Sequence, residues 1–291
     1  MISIVIISKD EPALDGTLTE VAAHAGKLGE PSEIVVVDAS DGRLDEIRDR
    51  HAAQVRWIRF GRPPGVRVSI PHQRNAGVRA ARGDVIVFTD AGCEPGPGWL
   101  DQLLAPLGEG EHVAAGIALG TDGSEGPFGR VLREARSARY LTECPTINLA
   151  FHRAAFDAVG GFDERFDYGS DVDFSWRLIA AGYRIRSVPG AVVQHDWGTR
   201  RRQFRRSWVY GKARARLYRK HRLSVRNVLR RDPAAVVYPV FLLGLPLTFV
   251  FPLYPALLLV PAWRNRADGA VRVVAEHLVF GAGVLAELAG R

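Results

Sequence analysis

Three short β-branched runs in the first 90 residues end alike, and that shared ending most limits how this chain can fold. SIVII runs into SKDE at 8–11, EIVVV into DASDG at 38–42, and VIVF into TDAG at 89–92. Apolar runs bounded by Asp, Ser and Gly are strand-then-loop signals. They predict strands at Ser3–Ser8, Glu33–Asp38, Val55–Phe60 and Val85–Thr89, with helical stretches near Leu14–Leu28, Arg43–Ala53 and Gln73–Ala81 between them. Such alternation predicts βαβ units: an α/β, Rossmann-like, mostly parallel central sheet with flanking helices. Ligands of these sheets bind outside the carboxyl ends of the strands. One polar ending alone could be an ordinary turn, because turns use Asp, Ser and Gly. Three on one edge predict a ligand site.

The middle of the chain is more mixed. VAAGIALG at 113–120 reads as another strand, and residues 120–130 as a Gly-rich loop. INLAFHRAAFDAVGGF predicts a strand running into a helix that stops at Gly160–Gly161. From Ser170 the pattern predicts a helix ending at Gly182, then two short strands reaching QHDWG. Ser170 and Asp173 have the spacing of a capping box, which makes Ser170 the N-cap and gives Asp173 a capping task. Asp171 is left to face a cleft, and the helix N-terminus favours its ionised form.

Charge is distributed unevenly. Thr199 to Arg231 holds fourteen Arg and Lys and no acidic residue, while residues 232–291 balance to zero. With +7 overall, the first 198 residues therefore carry a net −7. Within the basic tract Phe204, Trp208, Gly211, Ala215 and Tyr218 recur at helical spacing and form one face, with arginines over the rest. Pro233 to Trp263 contains no charged residue, a run longer than the roughly 20 residues a bilayer crossing needs. Six prolines, at 233, 239, 246, 252, 255 and 261, exclude one regular helix, leaving a kinked span, a re-entrant hairpin or an interfacial pair. Arginine beside an apolar run predicts an anionic membrane surface as partner and no nucleic acid. The positive-inside rule puts the arginines on the cytoplasmic face of the membrane. Only two cysteines, Cys93 and Cys144, are present, in no metal-binding spacing, which suits a reducing compartment. The apolar start, MISIVIISKDEP, is too short for a signal peptide and reads as a first strand.

In order, SIVIISKDE, EIVVVDASDG, RNAGVRAARGDVIVFTDAGCEPGPGWL, NLAFHRAAFDAVGGFDERF, GSDVDFSWRLIAAGYRI and QHDWG resemble the motifs of family 2 glycosyltransferases over roughly residues 1–210. The resemblance implies the GT-A fold of nucleotide-diphospho-sugar transferases over 1–210. A basic and apolar membrane-associating helical region, 211–291, follows. It implies that Ser8, Asp10, Glu11 and Asp38 hold the nucleotide, that Arg74 and Asn75 of an RN-x-G element line the same cleft, and that Asp90 meets the donor's sugar-phosphate end. Relatives carry D-x-D where this chain has D-A-G, so Gly92 replaces the second carboxylate. The implied divalent cation, Mg²⁺ or Mn²⁺, is left to Asp90 with His195 of QHDWG. Relatives read ED where this chain has Ser170–Asp171. By that likeness Asp171 is the general base of an inverting displacement by an acceptor hydroxyl, and the membrane-associating tail predicts a lipid-linked or cell-envelope glycan as the acceptor. The alternatives are a sugar nucleotidyltransferase, or a membrane adaptor of the same fold whose site has decayed.

Overall fold

The computed structural model describes residues 1–125, 129–264 and 269–290; part of the loop expected over 120–130 lies outside them. Contacts divide the chain into two compact units, Met1–Trp197 and Gly198–Arg291. The division precedes the expected 210/211 boundary, which falls inside one continuous helix, Arg200–Lys220.

The first unit is built on one sheet. The four expected strands form as β1 (Ile2–Ser8), β2 (Ser32–Asp38), β3 (Val55–Arg59) and β4 (Val85–Asp90), in the parallel spatial order β3-β2-β1-β4. The short β5 (Cys93–Pro95) and β6 (Val113–Gly120) follow, then the two-residue β7 (Tyr140–Leu141), β8 (Asn148–His152) and β9 (Ile185–His195). β8 lies antiparallel between β4 and β6, and β5 and β7 pair antiparallel with β9. The sheet is therefore mixed: β1 to β4 pair in parallel, as do β6 and β9, and the antiparallel pairings come from β8, β5 and β7. Two short strands were expected after Gly182, and one 11-residue strand is found. Its register against β6 shifts between Ala115 and Ile117, opposite the segment that contains Pro189. Proline has no N–H to give the ladder, so pairing breaks there while the strand continues.

Strand alternation sends side chains to two cores. Ile4, Ile6, Val36 and Val87 pack on one face with α1 (Leu14–Ala25), α2 (Asp45–Arg50) and α4 (Trp99–Gly108). Val5, Val35, Ile86 and Phe88 pack on the other with α3 (Ile70–Ala80), α6 (Arg153–Ala158) and α7 (Ser170–Ala180). A further helix, α5 (Gly129–Ser137), adds Leu132 and Ala135 to that second core. α3 lies so close to the sheet that a Cβ at Gly77 would sit 2.4 Å from Val5 Cγ1. Gly77 thus fixes how near α3 brings Arg74 to the strand ends.

The second unit is helical. α8 (Arg200–Lys220) and α9 (Val225–Arg231) carry the arginines, and α12 (Ala270–Ala289) packs on α8. Glycines allow that approach: a Cβ at Gly211 would meet the Phe280 carbonyl, and one at Gly283 the Trp208 carbonyl. Along the expected α8 face Gly211, Ala215 and Tyr218 are buried, whereas Trp208 is exposed. Glu287 on α12 pairs with Lys212 (3.8 Å), Arg216 (2.8 Å) and Arg219 (3.2 Å). The uncharged run folds as α10 (Ala234–Leu243), two 3₁₀ turns at 245–249 and 254–258, and α11 (Leu259–Arg264). Among the described residues no helix is long and apolar enough to cross a membrane. The prolines divide the uncharged run into these short elements.

Candidate active site

Backbone register brings the strand endings together. Ser8 on β1 is paired with Asp38 on β2, and Ile7 with Asp90 on β4. Asp38 is buried; its Oδ1 accepts from both the backbone N–H (3.1 Å) and the hydroxyl of Ser40. That hydroxyl in turn accepts from the Asp10 N–H at 2.7 Å, locking the β1 loop to the β2 loop. Asp10 and Asp41 both have positive φ, at 56° and 51°, a conformation that short polar side chains tolerate. Arg43 donates to Asp10 at 2.6 Å and lies 3.7 Å from Asp41. Beside these groups is a cavity of about 160 Å³ lined by Lys9, Asp10, Asp41, Arg43, Arg62 and Ser69. Mixed charge around a strand-end cavity suits an anionic ligand with hydrogen-bonding edges. Ser8 is buried at the end of β1, and Glu11 caps locally, accepting from the Ala13 N–H at 3.3 Å.

Arg74 joins two sides of the site. Buried on α3, its guanidinium lies 3.9 Å from the Asp90 carboxylate and 3.5 Å from Ser170 Oγ at the start of α7. The Phe162 ring, 5.6 Å from the guanidinium carbon, supports it. Asn75 turns the other way. Its amide exchanges hydrogen bonds with the Phe162 backbone (2.9 Å each) and donates to Glu164 at 2.9 Å, so it holds the 160–164 loop instead of lining the cleft.

The opening of α7 departs from the expected capping box. Gly169, with φ +81°, is the N-cap, no side chain caps the helix, and Ser170 is its first residue. A glycine adopts that φ without strain, so the chain turns into the helix one residue early and Ser170 faces Arg74. Asp173 is fully buried and pairs with Arg177 at 2.8 Å, which accounts for it in place of capping. Asp171 stays half-buried in the first turn, where its Oδ1 accepts from the Val172 N–H at 2.9 Å among other interactions.

Gly92 has φ +85°, and a Cβ there would lie 3.4 Å from His195 Cε1. His195 ends β9, paired across from Cys93, with Nδ1 3.2 Å from the Gly92 carbonyl. The imidazole therefore stands beside the place where a second carboxylate would begin. Burial, then the nearby Asp90 charge, pushes the Cys93 thiol up to about 12, so it offers no thiolate. Among the described residues no three His, Cys, Asp or Glu side chains group to hold a metal ion.

Sequence reasoning missed Ser40, Arg43 and Arg62. Ser40 lies within the DASDG ending and Arg43 directly follows it, a local signal that could have included them. Arg62 comes from a separate loop after β3, and only the fold brings it to the cavity.

Comparison with known proteins bears on the family and the fold. The family model described as Glycosyl transferase family 2 matches residues 3–162, and that of Glycosyl transferase family group 2 matches 132–264. The pre-mycofactocin glycosyltransferase of Mycobacterium tuberculosis is 35% identical over 165 residues, 51% of this chain and 34% of that protein. The validoxylamine A glucosyltransferase of Streptomyces hygroscopicus is 27% identical over 241 residues, 68% of this chain and 54% of that protein. The chain spans about a third of the length of the mycobacterial relative. A mannosyltransferase from Pyrobaculum calidifontis, solved with GDP-Man and Mn²⁺, superposes with a TM-score of 0.74 at 18% identity, covering 100% of this chain and 87% of that one. At that identity the likeness speaks for the fold.

Proposed function

The chain belongs to glycosyl transferase family 2, and from that premise we propose that it moves a sugar from a nucleotide-diphospho-sugar to an acceptor hydroxyl with inversion. One observation carries this reading: a single buried guanidinium, Arg74, reaches both Asp90 at a donor-side strand end and Ser170 beside Asp171. That contact supports a reading in which donor and base share one cleft.

The reaction divides among residues by chemistry. Asp38, pre-set by Ser40, accepts hydrogen bonds from the base or ribose. The cavity beside Asp10 and Lys9 takes the rest of the nucleoside. Asp171 removes the acceptor proton as the acceptor oxygen bonds the anomeric carbon. The bond from that carbon to the diphosphate breaks on the opposite face, and nucleoside diphosphate leaves. Arg74 offers the leaving diphosphate a fixed positive charge, which does most when charge develops. Asp90 orients the sugar-phosphate end. The divalent cation expected from the motif, Mg²⁺ or Mn²⁺, enters this reading as a companion of the donor diphosphate, with Asp90 the carboxylate left to meet it. The acceptor in this reading is a lipid-linked or cell-envelope glycan at the cytoplasmic face of a membrane. The exposed apolar side chains of the uncharged run, such as Phe249 and Val250, support it.

The test is the product. Incubation with nucleotide-sugar donors and a lipid-linked acceptor should release nucleoside diphosphate, and pyrophosphate from NTP plus sugar phosphate would instead make it a nucleotidyltransferase. Binding without turnover on a broad acceptor panel would make it an adaptor. Within the leading reading, Asp38→Ala should weaken donor binding about 10- to 100-fold, the worth of hydrogen bonds to a charged group, read by calorimetry. An unchanged affinity would remove Asp38 from the nucleotide pocket.

A further inference from the structure

The second unit exposes an apolar surface that its own fold does not cover. Phe249 is 93% exposed, Val250 86%, and Leu253, Leu259 and Trp263 68% each. Soluble chains rarely leave such residues together in water. Among the described residues no helix is long and apolar enough to cross a bilayer. α10 has ten residues, about 15 Å of helix against a hydrocarbon core of roughly 30 Å, and the segment beyond it is 3₁₀ turns and a six-residue helix. Turn-rich backbone cannot face lipid in the hydrocarbon core, because its polar groups would lose their partners. At headgroup depth the same backbone remains hydrated while its side chains reach the acyl boundary.

Charge identifies what covers the surface. Immediately before the apolar run, Arg222, Arg226, Arg230 and Arg231 are all exposed, and Val225 and Leu229 stand exposed among them at 70% and 45%. Exposed cations interleaved with exposed apolar groups, leading into an uncharged segment, complement an anionic phospholipid surface. Trp263 closes the segment with the side chain that prefers the membrane–water boundary.

We propose that residues 245–263 wedge into one leaflet of an anionic phospholipid bilayer, lying in its plane, with the arginines of 222–231 on the phosphate layer. This deepens the membrane part of the proposed function and rests on it. Vesicle binding is scored without any transfer reaction, so a failure of one is distinguishable from a failure of the other.

The full chain should float with phosphatidylcholine–phosphatidylglycerol vesicles and bind phosphatidylcholine alone much more weakly. The triple change Phe249→Ser, Phe251→Ser and Leu253→Ser should cut partitioning about tenfold or more with an unchanged melting midpoint, since all three side chains are already exposed. Arg226→Gln, Arg230→Gln and Arg231→Gln together should lower binding to the anionic vesicles and flatten its salt dependence. A Leu257→Cys thiol should be untouched by a maleimide sealed inside the vesicle. Equal flotation of wild type and the triple serine variant would overturn the wedge, as would labelling from the lumen. A chain that ignores vesicles and self-associates until the serines are introduced would make the surface a contact between copies, also against the proposal.

Discussion

Replacing Asp171 with Asn should leave donor affinity intact and slow sugar transfer by about 10²- to 10⁴-fold, the range that loss of a general base produces. The two side chains are nearly the same size, and Asn keeps the oxygen that accepts the Val172 N–H. What disappears is the capacity to take a proton. The loss should therefore fall on kcat, because the acceptor hydroxyl still docks but no longer loses its proton as the anomeric bond forms. Donor affinity should hold, since the groups proposed to bind the nucleotide lie at the ends of β1 and β2 while Asp171 lies in the first turn of α7. Rates of nucleoside diphosphate release and calorimetric donor binding check both halves. Full transfer activity would show that another group is the base. A parallel loss of donor binding would mean that Asp171 shapes the cleft instead of acting in it.

The candidate site was legible in the sequence wherever a local pattern created it. Asp38 and Asp90 could be placed because β-branched runs demand strands, and the first polar residue after each run must lie at a strand end. Registers Ser8↔Asp38 and Ile7↔Asp90 then follow from parallel pairing. Roles set by packing were not legible. Asn75 adjoins Arg74 in sequence, yet one helical step turns it onto the Phe162 backbone while Arg74 faces Asp90. The capping box failed because Gly169, ahead of Ser170, takes the left-handed turn and shifts the helix start by one residue. Strand direction was equally hidden: NLAFH at 148–152 is a strand by composition, but nothing in five residues says that it runs against β4. In the second unit, six prolines announced a broken run, and only the fold showed which apolar side chains that breakage leaves outside.

The failed capping box leads to the largest expected stability change. Arg177→Met should destabilise the first unit by about 3–5 kcal/mol, as breaking one half of a buried ion pair does. For a unit of this size that lowers the melting midpoint by about 6–20 °C. Asp173 is fully buried, and Arg177 pairs with it at 2.8 Å while donating to the carbonyls of Val159 and Gly161, the latter at 2.6 Å. Methionine replaces much of the stem but none of the donors. The damage should extend beyond stability, because the loop that Arg177 clamps from one side is the loop that Asn75 clamps from the other. Its Phe162 ring supports Arg74. Loosening that loop should lower kcat even at temperatures where the variant stays folded, without removing any group that touches substrate. Arg165→Met is the matched control: the same substitution at a residue 82% exposed, paired with Asp163 at 2.7 Å. The guanidinium of Arg165 stands in solvent while Asp163 is only 11% exposed, so the midpoint should fall much less than in Arg177→Met. Differential scanning calorimetry of the two variants decides the matter. Equal midpoints would mean that the Asp173–Arg177 pair does not hold α7 in place, and the positioning of Asp171 would then have to come from Gly169 and Ser170 alone.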